Sequence, residues 1–152
     1  MLINTPIGNF QIKYDDDFIY KIIFEKEITL IENKNYRHNS LSEKIKKQFD
    51  EYFSGKRMIF DLPYKLDVFP FTSACYSELL KVQYATTTTY GNIATTLGKP
   101  NAARAVGNAM NKNPLPIIIP CHRVLGGNGK LVGYRGGLDT KQWLLDFERN
   151  NK

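Results

Sequence analysis

TTTTYGNIATTLGKPNAARAVGNAMNKNP, Thr86 to Pro114, decides the fold of the second half of this 152-residue chain. Thr89 is placed to cap a short helix carrying Ile93, Ala94 and Leu97, and Gly98 ends it. Pro100 sits where a new helix begins, with Asn101 as its cap. That second helix, Ala102–Asn111, is dominated by small residues: Ala102, Ala103, Ala105, Gly107 and Ala109. Two short helices joined by a tight glycine-containing turn are the signature of a helix-turn-helix. The small-residue face lets the helix approach another surface closely, and that surface is either a DNA groove or a neighbouring helix. Arg104 is the only long basic side chain on the helix, and an isolated arginine is usually just solvated. The helix pair alone leaves both readings open.

The chain then continues as NPLPIIIPCHRVLGG, Asn113 to Gly127. Ile117–Ile119 reads as a buried strand that ends in Pro120 and delivers Cys121 and His122. The whole sequence has two cysteines and two histidines, and here one of each stand side by side. Glycine-rich loops follow, Gly126-Gly127-Asn128-Gly129 and Gly133-Tyr134-Arg135-Gly136-Gly137. A last helix starts at Asp139 or Thr140, with Trp143, Leu144 and Phe147 apolar. Upstream, Thr72–Gln83 reads as a helix in which Cys75 is a small buried hydrophobe.

The first 66 residues read as plainer material. Phe10, Ile12 and Tyr14 alternate with polar residues, as on a half-buried strand. Asp15-Asp16-Asp17 is a turn, open to a metal in principle but typical of a solvated one. Phe18 to Glu25 gives a second strand, so the start is a hairpin. Glu27–Asn39 is ambiguous between a third strand and a loop. Ser40 reads as a helix cap with Glu43 three residues on, followed by the stripe Leu41, Ile45, Phe49, Tyr52 and Phe53 and a stop at Gly55. Residues 56–70, bracketed by Pro63 and Pro70, read as a linker. The expected domains are therefore 1–66 and 67–152.

Composition bounds the partners. Residues 1–66 carry 11 Lys/Arg against 10 Asp/Glu, and residues 67–152 carry 10 against 5, so nearly all of the +6 net charge lies in the half that holds Cys121. Such an excess suits a polyanion such as nucleic acid, or serves only solubility. Two cysteines are too few for a disulfide framework. No apolar run approaches the ~18 residues of a membrane span, and the N-terminus lacks a signal peptide's pattern. The expectation is an intracellular protein with no membrane partner.

Four readings compete for the Cys-His pair. A zinc site needs about four ligands at workable spacing, and two scattered Cys and two scattered His do not supply them. A cysteine hydrolase needs an oriented base and an oxyanion hole, and would leave the basic helix-turn-helix without a purpose. A buried structural thiol is common, but His, Arg and glycine loops around it suggest an accessible pocket. The fourth is a thiolate presented to bound nucleic acid, with an imidazole taking its proton and Glu148 on the last helix a candidate to hold that imidazole. Glycines after the site let backbone approach a flat ligand.

Pro120-Cys121-His122-Arg123-Val124 resembles the active-site motif of the O6-alkylguanine-DNA alkyltransferases. The resemblance runs in register over residues 70–150, through TYGNIA, NAARAVGNAM, NPLPIIIPCHRV, GYRGGLDTKQWLL and Glu148, and more weakly over the first 66. It implies a mixed α/β (α+β) fold: a small ribonuclease-H-like N-terminal domain and a mainly helical, winged-helix-like C-terminal domain. It implies direct reversal of damage, with the alkyl group of O6-alkylguanine, and of O4-alkylthymine, passing once and irreversibly to Cys121. The partner would be double-stranded DNA containing O6-alkylguanine, with the protein a monomer in solution and with no cofactor and no metal. His122 would act through a water as base, Glu148 would orient it, and Asn113 would tie the helix-turn-helix to the active-site loop. Tyr90 would donate its hydroxyl to the flipped guanine. Carbonyls of Val124 and Cys121 would read the guanine amino group, with Tyr134, the Arg135 amide, Gly136 and Met110 completing the pocket. Arg104 would fill the space left in the duplex, and Ala102, Ala103, Gly107, Asn108, Thr89 and Arg123 would lie against DNA. The family often has a small residue where Arg135 stands, so this side chain departs from the pattern. Two alternatives stay open: a protein that binds alkylated guanine without repairing it, whose kind lacks the acceptor cysteine, and a winged-helix regulator.

Overall fold

The computed structural model describes residues 1–27 and 37–152, so most of the ambiguous segment Glu27–Asn39 lies outside the described residues. Two compact units are present, Met1–Leu66 and Asp67–Lys152.

The first unit is a three-stranded antiparallel sheet with one helix on it. β1 (Leu2–Thr5), β2 (Gly8–Tyr14) and β3 (Ile19–Phe24) lie in sequential order. The sequence pattern shows two strands; β1 escapes it because four residues hold only two inward positions, Ile3 and Thr5. The Asp15–Asp17 turn is a plain one: Asp15 Oδ1 accepts from the amides of Asp17 and Phe18. α1 (Ser40–Phe53) buries Leu41, Ile45, Phe49 and Tyr52. Its cap is Asn39 rather than Ser40, and Ser42 rather than Glu43 closes the capping box. Both residues offer short side-chain oxygens, which sequence spacing one position off satisfies equally well. Phe10 joins sheet to helix, meeting Phe24 edge-on at 5.1 Å and Phe49 at 6.4 Å. Each such fully buried ring contributes about 1.5–3 kcal/mol.

Residues 56–66 are no linker. The Gln48 side chain exchanges two hydrogen bonds with the Asp61 backbone, Leu62 is buried, and the Ile19 backbone bonds to Pro63 and Lys65 around a parallel bridge to Tyr64. Proline cannot donate to a ladder, so Pro63 shows in sequence as a break while its carbonyl still accepts.

The second unit is helical. α2 (Pro70–Leu79) begins two residues before its expected start, because proline at the first helical position forfeits only an amide that has no partner anyway. β4 (Thr88–Thr89) leads into α3 (Tyr90–Thr96), and α4 (Ala103–Asn111) follows after the turn at Gly98 (φ +73°). Thr89 caps α3 through Asn92 N, as the sequence indicates. Asn101 does not cap α4: Ala102 holds that position with no side-chain bond, closing a turn onto Lys99 O. β5 (Val124–Leu125) pairs in parallel with β4, and α5 (Leu138–Asn150) closes the unit after Gly137, whose φ of +94° favours glycine.

Ile117–Ile119 is not a strand. All three isoleucines are buried, but Pro114, Pro116 and Pro120 remove ladder donors. Ile117 adopts φ +75°, which turns the chain, and Ile119 N bonds back to Leu115 O. The apolar run is a buried knot that aims Cys121.

Candidate active site

Cys121 opens a single 3-10 turn, Cys121–Arg123, between that knot and β5. Its amide donates to Ile119 O at 2.8 Å, and its carbonyl accepts from Val124 N. Cys121 is 6% exposed. Burial pushes the thiol up, and the hydrogen bond from the Asn113 side chain and the charges of Lys141 and Arg135 pull it back only in part. At neutral pH the resting group is therefore a thiol that needs a base.

His122 and Glu148 supply one. The imidazole Nε2 and Glu148 Oε2 are 2.8 Å apart, and both side chains are buried. Burial first, with the charges of Arg123 and Lys141, lowers the His122 value against the raising effect of Glu148. Burial alone would raise Glu148, but hydrogen bonds and charge from His122 and Arg123 win and hold the carboxyl well below its usual range. The ionised carboxylate fixes the tautomer with the proton on Nε2. His122 Nδ1 is then the free lone pair, and it is buried with no protein partner among the described residues.

Arg123 is a correction. The reading sets it against DNA, yet it is 7% exposed. Its Nε and Nη2 grip Glu148 Oε1 and Oε2 at 2.8 and 2.9 Å, and Nη1 reaches Val82 O at 2.9 Å. The guanidinium also lies over the Tyr84 ring, 5.6 Å from its centre. The 3-10 turn points this side chain inward, where a buried carboxylate needs a fork-shaped cation.

Asn113 organises the turn. Its Nδ2 donates to Ile119 O at 2.7 Å, and its Oδ1 accepts from Leu115 N at 2.9 Å. Its backbone amide bonds to Met110 O at the end of α4, so one buried residue joins α4 to the segment carrying Cys121.

Lys141 is the residue that sequence reading missed. It is 0% exposed. Its ammonium donates to Val132 O (3.0 Å), Gly133 O (3.1 Å) and Tyr90 Oη (3.4 Å). Burial lowers it to about 8, with the Cys121 charge acting against that. A signal existed: 141, 144 and 148 share one face of α5, and Leu144 marks that face as buried.

Tyr90 stands at the start of α3. Its hydroxyl donates to Val132 O at 3.0 Å, and burial, with Cys121, raises its value, so it keeps its proton. Tyr134 behaves alike, raised by burial first, and Gly136 is buried in the same loop. Gly133 has φ +57°, and a Cβ there would sit 3.6 Å from the Asn111 side chain. Val124 is fully buried in β5, and Met110 lies on the buried face of α4 with Val106 and Ala109. On the opposite face of α4, Arg104 and Asn108 are exposed four residues apart, with Ala102, Ala103 and Gly107 half-buried.

Fold and site together define a protein with a small sheet unit, a helix-turn-helix unit, and in the latter a buried cysteine flanked by a carboxylate-held imidazole. Residues 70–150 match the family described as 6-O-methylguanine DNA methyltransferase, DNA binding domain, and residues 1–66 match its ribonuclease-like domain. The methylated-DNA–protein-cysteine methyltransferase of Methanosarcina barkeri is 40% identical, covering 99% of this chain and 96% of that one. The constitutive enzyme of that name from Bacillus subtilis is 35% identical, over 95% and 92%. Among solved structures, Mycobacterium tuberculosis OGT in complex with DNA superposes with a TM-score of 0.85 at 34% identity, covering 99% of this chain and 92% of that one. The chain belongs to the 6-O-methylguanine DNA methyltransferase family.

Proposed function

We propose that this protein repairs DNA by direct reversal, moving the alkyl group from O6 of guanine to its own Cys121. The observation that carries the reading is His122, next in the chain to Cys121: Glu148 holds Nε2, and the buried Nδ1 is left as the acceptor.

The steps follow from the chain's own groups. The lesion lies within a stacked duplex and must be flipped out, at a cost of a few kcal/mol. Arg104, exposed on the small-residue helix, fills the space left behind, and Ala102, Ala103, Gly107, Asn108 and Thr89 flank the duplex. The flipped base enters between Tyr90 and the Tyr134–Gly136 loop, near Met110, with the Val124 and Cys121 carbonyls facing its amino group. The thiol proton passes through water to His122 Nδ1, and Glu148 stabilises the imidazolium. The sulfur attacks the alkyl carbon: an S–C bond forms, the C–O bond breaks, and the electron pair leaves on guanine. Tyr90 gives its proton to the ring, and Lys141 beside its hydroxyl favours the phenolate left. The product is a thioether, a poor leaving group, so each molecule acts once. The same chemistry suits O4-alkylthymine. The partner is duplex DNA, met inside the cell by a monomer that needs no cofactor.

The test is stoichiometry. Removal of O6-methylguanine from a labelled duplex should stop when one methyl has moved per protein molecule. Removal continuing past that point, or none at all, contradicts the reading. The binding-only alternative predicts affinity for the lesion with no removal.

A further inference from the structure

The Arg135 side chain has no part in the steps above, where only its backbone faces the substrate. Its guanidinium Nη1 donates to the backbone carbonyl of Asn113 at 3.1 Å. That carbonyl is the remaining polar group of a residue whose amide, Oδ1 and Nδ2 are already bonded to Met110, Leu115 and Ile119. Arg135 thus completes the hydrogen bonding of the hub that aims Cys121. The loop it springs from is fastened from below as well, since Lys141 holds the carbonyls of Val132 and Gly133. Two cations therefore grip one loop, Lys141 at its entry and Arg135 across to the Asn113 turn.

We infer that Arg135 is a positioning residue for the acceptor thiol, fastening the pocket loop to the Asn113 turn and setting a second positive charge beside the cysteine. The inference rests on the alkyl-transfer reading for its purpose and on the geometry for its existence. The side chains whose charge or hydrogen bonding bears on Cys121 are Asn113 on its turn, Tyr76 on α2, Tyr90 on α3, Tyr134 and Arg135 in the loop, and Lys141 on α5. Among these only Lys141, lowered by burial to about 8, and the guanidinium of Arg135 carry positive charge near neutral pH. Both favour the thiolate, against burial.

The experiment reads the thiol directly. In a Cys75→Ala background, the rate of Cys121 alkylation by iodoacetamide is followed against pH in the parent, Arg135→Gln and Arg135→Lys. Glutamine keeps a donor and loses the charge, whereas lysine keeps the charge. The Gln profile should move to higher pH, with alkylation a few-fold slower near neutrality, and meet the parent in strong base. The Lys profile should stay near the parent, and methyl transfer from duplex DNA should fall in the same order. A Gln profile that superimposes on the parent, or a Lys profile displaced as far as Gln, overturns the inference. Failure of the alkyl-transfer reading looks different: the parent takes no methyl from DNA while its iodoacetamide profile still responds to Arg135.

Discussion

Arg123 grips Glu148 through two hydrogen bonds, of 2.8 and 2.9 Å, inside a site where both side chains are nearly dry. The carboxylate that orients His122 is thus held in its charged form by a second cation. Arg123→Ala strands that charge, and loss of one partner of a buried pair costs about 3–5 kcal/mol. At roughly 2–4 °C per kcal/mol, the melting temperature should fall by about 10 °C. A thermal melt checks this; a drop of a degree or two would mean the pair is not buried as described.

The same pair sets an acid limit. The Glu148 carboxyl is held below its unfolded value, so the folded state binds fewer protons than the unfolded one in that range. Its contribution is present in full above the ordinary glutamate value of about 4.3 and is lost as pH falls through the depressed folded value. Denaturant titrations below about pH 5 should show a steeper loss of stability in the parent than in Glu148→Gln. Parallel slopes in the two proteins would count against an ionised, paired Glu148.

Lys141 donates to two loop carbonyls from a fully buried position. Lys141→Ala takes this donor from Gly133 O and leaves Val132 O with Tyr90 Oη alone, at a cost of about 1.5–3 kcal/mol for the lost charged hydrogen bonds. Amide exchange across residues 131–137 should quicken, and alkyl transfer should slow with it. Unchanged exchange in that loop would show that Lys141 does not hold it.

How far these residues were legible depends on whether their partners lie close in sequence. The helix-turn-helix was, because Thr89, Ile93, Gly98 and the small residues of α4 act within one or two turns. Burial of Ile117–Ile119 was legible from composition, but their conformation was not, since three prolines and the bonds of Asn113 override the strand preference of isoleucine. Cys121, His122 and Glu148 were picked out by motif. Arg123 was misplaced because its carboxylate lies 25 residues away and its carbonyl acceptor 41. Lys141 was missed because a lysine among apolar positions on α5 reads as solvated unless the buried stripe is followed through it.

Arg104 is exposed on α4 and makes no contact with the Cys121 turn among the described hydrogen bonds and ion pairs. Arg104→Ala should weaken transfer from duplex DNA while leaving transfer from free O6-benzylguanine nearly intact, because the free base needs no flipping. Rate measurements on both substrates check this. Equal losses would move Arg104 from the duplex to the fold.

The most direct measurement is the mass of the protein after mixing with a duplex that carries one O6-methylguanine. The account predicts a gain of one methyl group, mapped by peptide analysis to Cys121, in the parent and in Cys75→Ala, with none in Cys121→Ala. A methyl found on Cys75, or a lesion removed with no gain in protein mass, would contradict it.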